Sequence, residues 1–445
     1  SGDASVPASL HDSLMARLDR IPEVKEVAQI AAVIGREFDH ELLAAVAEHP
    51  EAALTDSLDK LARAELVFCR GTPPDASYLF KHALVRDAAY QSLLRTRRRE
   101  LHGRIAEALR QRFPQRVSDQ PELVARHLTE AGLIEEAIPL WQQAGERAAR
   151  ASANVEAIAH FRQAIALTET LPPSEATRLQ ELDLQTGIMG PLIAAKGYTV
   201  ADTRATCARA QALAQDSDPP DLLFPALYGQ WAMLFVSGDA ASARPVGERI
   251  WRLAQLHEDP GPRLIAHRIR ANHLYWMGRT RATAHEYALT LSLYDNERHA
   301  VLTYQTGTNP SIAALSLRSA AQWELGYPEQ AAEGANRAID AARQLGHTNT
   351  TGYALTWAGQ LCSHLLRDRA AVTRRAREAV ALAEEQGMPA WRAMAEMGVG
   401  WSEAVSLEKP EGLATVRQGL AAIEAQGTFF FHTFHLLRLA EAQLA

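Results

Sequence analysis

Three side chains that can carry positive charge are spaced to share one face of a helix. They are Arg263, His267 and Arg270, at positions i, i+4 and i+7. Ile265 and Ile269 fall roughly opposite, which predicts that their face packs inward. Guanidinium and imidazolium groups bind carboxylates, so one interpretation is a groove that binds acidic segments of a partner. The alternative interpretation is a solvated outer face of the same helix.

A second group of basic residues lies between positions 95 and 104. Its members are Arg95, Arg97, Arg98, Arg99 and Arg104. One interpretation is a solvated face close to a domain junction. The other is a docking face for an acidic partner or a phosphate group, with Arg97 and Arg98 as the contact residues.

The short motifs that mark common catalytic sites are missing from the sequence. It contains neither a G-x-x-x-x-G-K-[ST] phosphate-binding loop nor a G-x-G-x-x-G segment, and His40-Glu41 lacks the second histidine of an H-E-x-x-H zinc site. His432 and His435 have a spacing that metals use, but no cysteine or carboxylate cluster accompanies them, and a metal needs three or four ligands. We therefore predict a chain without catalytic residues, metal site or cofactor of its own.

Composition and charge narrow the kinds of partner. The chain has 445 residues, with 46 Lys and Arg against 53 Asp and Glu, and its net charge of −7 makes it a poor general binder of nucleic acid or anionic membranes. No apolar run approaches the roughly 20 residues of a membrane helix. Cys69, Cys207 and Cys362 are far apart in the sequence, which indicates a reducing compartment such as the cytoplasm.

Hydrophobic periodicity predicts short amphipathic helices up to about residue 65, and two strands after them. The strand candidates are Leu66–Arg70 and Ser77–Lys81, with turn-forming residues at 71–75, and they are the only convincing β signal in the chain. This order is typical of a winged-helix-like domain. Its DNA-reading helix would lie near Glu51–Glu65, where four acidic residues outnumber two basic ones, so DNA binding through it is not expected.

The residues after the hairpin are again helical by pattern. We expect one long helix from about Leu84 to Phe113, with any break near His102 and Gly103, where a glycine interrupts the pattern. Residues 114–121 are polar and rich in proline, and they are interpreted as a connector between domains.

Beyond this connector the sequence repeats itself. A turn followed by an alanine-rich helix recurs at Gly238, Gly278, Gly326, Arg367 and Glu408, with spacings of 40, 48, 41 and 41 residues. A period near 40 that contains two helices predicts a helical-repeat solenoid, somewhat longer per unit than a minimal tetratricopeptide repeat.

Together these patterns predict an all-α protein of two parts. Residues 1–118 form a small winged-helix-like domain with a short β-hairpin and a trailing long helix. Residues 119–445 form an α-solenoid of tetratricopeptide-like helix pairs. Residues 295–310 make the longer spacing and are interpreted as a loop or a short extra helix on one rim of the array.

Two N-terminal motifs carry a resemblance to a known family. Residues 78–93 (YLFKHALVRDAAYQSL) resemble the end of the winged-helix domain in signal-transduction ATPases with numerous domains (STAND ATPases). With residues 6–20 (VPASLHDSLMARLDR), they resemble the region after the ATPase module in bacterial class III adenylate/guanylate cyclases that end in tetratricopeptide repeats. Residues 153–160 and 325–331, in the solenoid, fit the same family.

The resemblance implies a regulatory role and one candidate residue. In such ATPases the winged helix closes over the nucleotide, and a histidine at the start of the next helix can reach a phosphate. The matching residue is His82, and an imidazole beside Lys81 at a helix start favours an anion. Ala83 stands where plant and animal relatives usually have Asp, which is a departure from the family's pattern. The alternative is that His82 only ends the strand and caps the helix.

The sequence thus favours a non-catalytic regulatory region whose solenoid groove binds a protein or a small effector. It would control ATPase and cyclase domains in cis, and those domains, which would hold ATP or ADP and a divalent metal, would precede Ser1. The start at Ser1-Gly2-Asp3, without a methionine, fits a piece of a longer protein. The alternatives are a free-standing tetratricopeptide adaptor and the sensor part of an ATPase-type transcriptional regulator.

Overall fold

The computed structural model describes residues 22–407 and 409–445. The motif at residues 6–20 and the repeat position Glu408 therefore lie outside the described residues. The chain divides into two compact units, one comprising residues up to 144 with 166–171, and the other comprising 145–165 with 172–445.

The first unit combines short helices with a small sheet. Its elements are α1 (Pro22–Ile34), β1 (Glu37–Asp39), α2 (His40–Ala47), α3 (Glu51–Arg63), β2 (Val67–Arg70), β3 (Ser77–Phe80), α4 (Ala83–Gln91), α5 (Arg95–Arg112), α6 (Pro114–Asp119) and α7 (Pro121–Ala131). The three strands pair antiparallel in the order β1-β3-β2. The predicted β-hairpin is confirmed as β2 and β3 of this small sheet, and the winged-helix-like arrangement stays a prediction.

The third strand, β1, is the element that the sequence analysis missed. It pairs Phe38 with Tyr78 of β3, and the two rings stack with their centroids 5.4 Å apart. Phe38 and Phe80 are almost fully buried beneath the sheet. A strand of three residues, with one apolar side chain between two acidic ones, is too short for periodicity to reveal.

The long helix predicted from Leu84 to Phe113 is wrong in its continuity. The chain forms two helices, α4 and α5, and the break lies at residues 92–94 rather than at His102 and Gly103. His102 and Gly103 lie inside α5, where a Cβ at Gly103 would come within 3.9 Å of the Ala131 side chain. That distance is an ordinary van der Waals contact, so the packing of α5 on α7 does not require a glycine here, and Gly103 does not break the helix.

The connector predicted at residues 114–121 is also wrong in part, because it contains the short helix α6 and the start of α7. Both helices begin with proline, Pro114 and Pro121, at the first helical position. Proline is favoured there because its fixed φ suits the helix and its missing N–H would have no partner within the helix.

The remaining helices belong to the repeat array. They are α8 (Ile134–Arg150), α9 (Asn154–Thr168), α10 (Glu175–Gly187), α11 (Met189–Lys196), α12 (Ala201–Leu213), α13 (Pro220–Val236), α14 (Ala240–Ala254), α15 (Pro260–Trp276), α16 (Thr280–Leu293), α17 (Asn296–His299), α18 (Val301–Thr306), α19 (Pro310–Glu324), α20 (Pro328–Leu345), α21 (Thr348–Ala354), a π-helical turn (Leu355–Leu361), α22 (Cys362–Leu365), α23 (Arg369–Glu385), α24 (Pro389–Leu407), α25 (Pro410–Ala425) and α26 (His432–Leu444). Helices α8 and α9 contain residues of both units.

The turn inside each helix pair confirms the repeat that the sequence predicted. Gly238, Gly278 and Gly326 have positive φ angles of 81°, 67° and 88°, and Arg367, at the equivalent position, has 60°. The next helix begins two residues after each of them. Glycine adopts this left-handed conformation without the steric cost that a Cβ brings, so three of the four described turns use it.

Packing in the second unit follows from small residues on facing helices. Helix α20 presents Ala331, Ala335 and Ala338, each at most 1% exposed, to its neighbours. Consecutive helices pack within a pair, and α16 packs on α19 of the next pair. The irregular residues 295–310 form the short helices α17 and α18, one of the two forms that the sequence predicted. No helix among the described residues is both long and apolar enough to cross a membrane.

Candidate functional site

A cavity in the second unit is the strongest candidate for a functional site. Its empty space of about 770 Å³ includes open solvent at the mouth. Eight of its 22 lining residues are aromatic, namely Tyr198, Tyr228, Trp231, Phe235, Tyr353, Trp357, Trp391 and Phe430. The polar side chains that line it are Lys196, Arg268, Asn272, Asn349 and Thr428. None of the described lining residues is Asp or Glu.

Arg268, on α15, is the charged centre of this cavity. Only 5% of the residue is exposed. One guanidinium nitrogen, Nη2, donates a hydrogen bond of 2.5 Å to the hydroxyl of Tyr228, and the group lies 5.5 Å from the centre of that ring. The Nε atom is buried without a hydrogen-bond partner among the described residues. Arg268 forms no ion pair with a described carboxylate.

Tyrosine hydroxyls surround this guanidinium. Burial raises the pKa of both Tyr198 and Tyr353, so these phenols keep their protons at neutral pH. Burial acts to lower the pKa of Arg268, and the hydrogen bond to the Tyr228 hydroxyl acts to raise it. The cavity therefore carries a positive charge that no described carboxylate neutralises.

Two asparagines fix further polar atoms in the wall. The Oδ1 atom of Asn272, one helical turn after Arg268, accepts a hydrogen bond of 2.5 Å from the hydroxyl of Tyr287. The Oδ1 atom of Asn349 accepts one of 2.6 Å from the indole N–H of Trp391. Asn349 in turn donates through Nδ2 to the carbonyl of Gly307, so both amides are held in one orientation.

The apolar side of the cavity is a set of interlocked rings. Trp231 stacks on Phe235 at 4.9 Å between centroids, and Trp357 meets Phe430 edge to face at 5.0 Å. Trp391 meets Tyr353 at 6.0 Å. Such a wall favours a flat apolar ligand, because aromatic pairs add to the gain from burial alone. The tryptophans, interpreted from sequence as knobs between helices, thus contribute three members to a cavity wall.

The stripe predicted on α15 is placed as the periodicity requires, with Ile265 and Ile269 buried. His267 and Arg270 both contact the carboxylate of Glu286 on α16, at 2.6 Å and 3.2 Å. Arg270 also lies over the ring of Trp251. Two of the three predicted groups therefore already have an anionic partner within the array.

Arg263, the third member of the stripe, is half-buried, and its Nε atom lacks a hydrogen-bond partner among the described residues. It does not line the cavity.

Arg97 and Arg98 of the basic cluster have partners within the first unit. Arg97 donates to Glu100 at 2.7 Å and to Glu26 at 3.3 Å. Arg98 donates to the carbonyl of Leu93 at 3.1 Å and lies over the ring of Tyr90. These contacts hold α5 against neighbouring elements, and they leave only part of each guanidinium for a partner.

His82 and Lys81 lie at the junction of β3 and α4. His82 occupies the N-cap position of α4 and is exposed, but its imidazole makes no capping hydrogen bond. Lys81 pairs with Glu65 at 3.1 Å and lies 5.4 Å from the centre of the Phe68 ring. The imidazole of His82 is thus accessible, while the ammonium of Lys81 shares its charge with a carboxylate.

Sequence reasoning missed Arg268, the residue that organises the cavity. The sequence analysis selected Arg263, His267 and Arg270, which lie around Arg268 on α15, and it predicted that the opposite face of the helix packs inward. The available signal was a basic residue on that apolar face, since Leu264, Arg268 and Asn272 follow one another at intervals of four. A charged residue at a buried position needs a partner, which makes it informative.

No protein-family model matches the sequence. An uncharacterized protein of Rhizobium meliloti (strain 1021) is 24% identical over 441 residues, which cover 96% of this chain and 42% of that protein. The chain therefore spans less than half the length of this curated relative.

The comparison with solved structures includes two matches. A Rap protein complexed with Competence and Sporulation Factor matches with a TM-score of 0.50 and 14% identity, covering 69% of this chain and 86% of that one. A STAND protein with a tetratricopeptide repeat sensor from Pyrococcus horikoshii has a TM-score of 0.40 and 10% identity, covering 99% of this chain and 68% of that one. The likeness to the Rap protein confirms the predicted tetratricopeptide-like solenoid.

Proposed function

We propose that this chain is a non-catalytic sensor and protein-interaction region of a larger signalling protein. The tetratricopeptide-like array supports a role in binding, since stacked helix pairs create extended concave surfaces. The Rap protein of similar fold was solved in complex with a factor, and the longer Rhizobium relative leaves room for further domains. In this proposal, as the sequence resemblance implies, those domains are an ATPase module and a nucleotide cyclase.

The observation that carries the proposal is the cavity. Its lining residues extend from Ile193 to Phe430 in the sequence, so a bound effector contacts several helix pairs at once. An effector that binds one arrangement of these pairs more tightly than another shifts the population toward it. The array then transmits binding to the rest of the protein as a change in the geometry of its helix pairs.

A neutral aromatic dye tests whether the cavity binds ligands. N-phenyl-1-naphthylamine fluoresces in apolar surroundings, and we expect saturable binding to the whole chain. Ala390→Phe places a ring where the Ala390 side chain lines the cavity, and it should weaken binding about tenfold or more, because the same volume cannot hold both rings. Ala332→Phe, at a half-buried position of α20 away from the cavity, is the matched control.

Two outcomes would contradict this part of the proposal. One is the absence of saturable dye binding, and the other is equal binding by the two variants. A separate assay addresses the absence of catalysis: the purified chain should neither hydrolyse ATP nor produce a cyclic nucleotide, and measurable turnover would contradict the proposal.

Nucleotide sensing by His82, with Lys81 beside it, is a second part of the proposal. It is supported by the exposed imidazole at the start of α4, where the helix N-terminus favours an anion. In the intact parent protein, His82→Ala should change the basal activity, whereas the exposed surface variant His285→Ala should not. An unchanged basal rate in His82→Ala would remove this role.

A further inference from the structure

The cavity contains a buried positive charge whose partner is missing from the described chain. Arg268 is 95% buried, Nη2 bonds to the hydroxyl of Tyr228, and Nε bonds to no described atom. Buried guanidinium groups are normally paired with a carboxylate or phosphate, because neutral hydrogen bonds recover only part of the hydration that burial removes. The arrangement is therefore complete only when an anion occupies the cavity.

The other charges at the cavity do not fill this role. Lys196, the second cation in the lining, is ion-paired with Asp202. No described lining residue is acidic, and the phenols of Tyr198 and Tyr353 stay protonated because burial raises their pKa. The cavity thus offers one unneutralised cation, which suits a ligand with one negative charge better than a doubly charged one.

A second donor lies beside Arg268. Asn272 follows it by one helical turn, and its Oδ1 atom is already engaged by the hydroxyl of Tyr287. Its Nδ2 atom therefore keeps its two hydrogens, and it forms no hydrogen bond with a described residue. A guanidinium and an amide N–H on the same helix face match the two oxygens of a carboxylate.

The rest of the wall defines the body of the ligand. Trp231, Trp357 and Trp391 contribute flat apolar surfaces, and their rings pack against Phe235, Phe430 and Tyr353 respectively. Aromatic rings gain most from packing against such surfaces.

We propose that the cavity binds an aromatic carboxylate, whose carboxylate pairs with Arg268 and Asn272 and whose ring packs among Trp231, Trp357 and Trp391. This inference rests on the proposed function and specifies the chemical class of the effector. The same chemistry has two sources: a small aromatic acid, or the free carboxyl terminus of a peptide that ends in an aromatic residue.

Matched pairs of probes that differ only in charge test the inference. In competition with N-phenyl-1-naphthylamine, 2-naphthoate should bind the whole chain about tenfold or more tightly than 2-naphthamide, the effect expected of a charge-assisted pair. The peptide Ala-Ala-Phe with a free carboxylate, compared with its C-terminal amide, forms the second pair. An acid preference confined to the naphthalene pair identifies a small acid, and one confined to the peptide pair identifies a chain terminus.

Substitutions then locate the preference. Arg268→Met should abolish the advantage of the acid over the amide, and Arg268→Lys should retain part of it. Arg375→Met is the control, because it removes a partly buried guanidinium of α23 that does not line the cavity. It should leave the acid preference unchanged. A preference that survives in Arg268→Met would overturn the assignment to this residue.

Measurements on the unaltered chain are enough to test whether the cavity prefers an aromatic carboxylate, even if Arg268→Met fails to fold. Dye binding without any preference for either acid would overturn the aromatic carboxylate and leave the sensor proposal standing. A chain that binds neither the dye nor any of the four probes would remove both proposals.

Discussion

Two arginines are buried in the same unit, and their surroundings differ in an instructive way. Arg268 lines the cavity, and its guanidinium donates a hydrogen bond to the hydroxyl of Tyr228. Arg438, on α26, is 1% exposed and packed in the C-terminal region, where burial lowers its pKa to about 9. The polar groups of the cavity wall account for the buried charge of Arg268. The buried charge of Arg438 has no such surroundings and lowers the stability of the region in which it is packed.

The contacts of Arg438 show what that cost consists of. Its Nη1 atom donates to Gln360 at 3.2 Å, and the guanidinium lies 4.4 Å from the centre of the Phe434 ring. The Nε and Nη2 atoms have no hydrogen-bond partner among the described residues. The comparison teaches that burial alone does not mark a functional charge; the empty space beside Arg268 does.

The prediction with the largest expected effect compares two phenylalanines, one in the cavity wall and one in the C-terminal region around Arg438. Phe430 and Phe434 are both 7% exposed and lie four residues apart in the sequence, but only Phe430 lines the cavity. Each truncation to alanine should lower the free energy of unfolding by about 3 kcal/mol, measured by denaturant unfolding. Phe430→Ala should also weaken N-phenyl-1-naphthylamine binding, and Phe434→Ala should not. Equal losses of dye affinity in the two variants would contradict the distinction between the cavity and the C-terminal region.

The fully buried His435 makes the stability of the C-terminal region depend on pH. Burial, with help from Arg438 and His432, lowers the pKa of His435 to about 3. In the unfolded chain His435 takes up a proton near pH 6.5, whereas in the folded chain it does not. Its contribution to the free energy of unfolding is therefore complete above pH 6.5 and is lost as the pH falls toward 3. Between pH 7 and 4.5 the loss from this group should be about 2 kcal/mol.

The variant His435→Gln should reduce that dependence of unfolding free energy on pH, measured by urea titrations at each pH. The exposed His285→Gln is the control and should retain the dependence of the unaltered chain. An unchanged pH profile in His435→Gln would mean that the buried region does not hold this imidazole neutral.

The smallest expected effect concerns Arg438 itself. Replacing a poorly paired buried ion by an apolar side chain of similar length is neutral or stabilising, so Arg438→Met should raise the free energy of unfolding by about 1 kcal/mol. Dye binding and the acid preference should stay unchanged. A clear loss of stability would show that Arg438 is better satisfied than its contacts indicate, and it would weaken the contrast with Arg268.

The sequence predicted what depends on local pattern. Periodicity revealed the helices, and the recurring turn at Gly238, Gly278 and Gly326 revealed the period, because a left-handed turn selects glycine. The same reasoning failed for β1, which is stabilised by its pairing with β3 rather than by its own three residues. The break between α4 and α5 was likewise misplaced, because Gly103 lies inside α5 and does not interrupt it.

The cavity could not be predicted, because its wall is assembled from residues far apart in the sequence. Arg268 and Asn272 share a helix, but Asn349, Trp391 and Phe430 come from elements far from it in the sequence. The predicted stripe around His267 lies on the neighbouring face of the same helix. Sequence reasoning therefore singled out the helix that carries Arg268, but not Arg268 itself.

The π-helical turn at residues 355–361 has a consequence for evolution by insertion and deletion. It carries Trp357, in the cavity wall, and Gln360, the partner of Arg438. A wide turn of this kind contains one residue more than an α turn. Because the wide turn already takes up the extra residue, deleting it would restore a regular helix and leave the later side chains close to their present directions. Homologues with a one-residue gap here should therefore keep both the fold and the side chains that face Arg438.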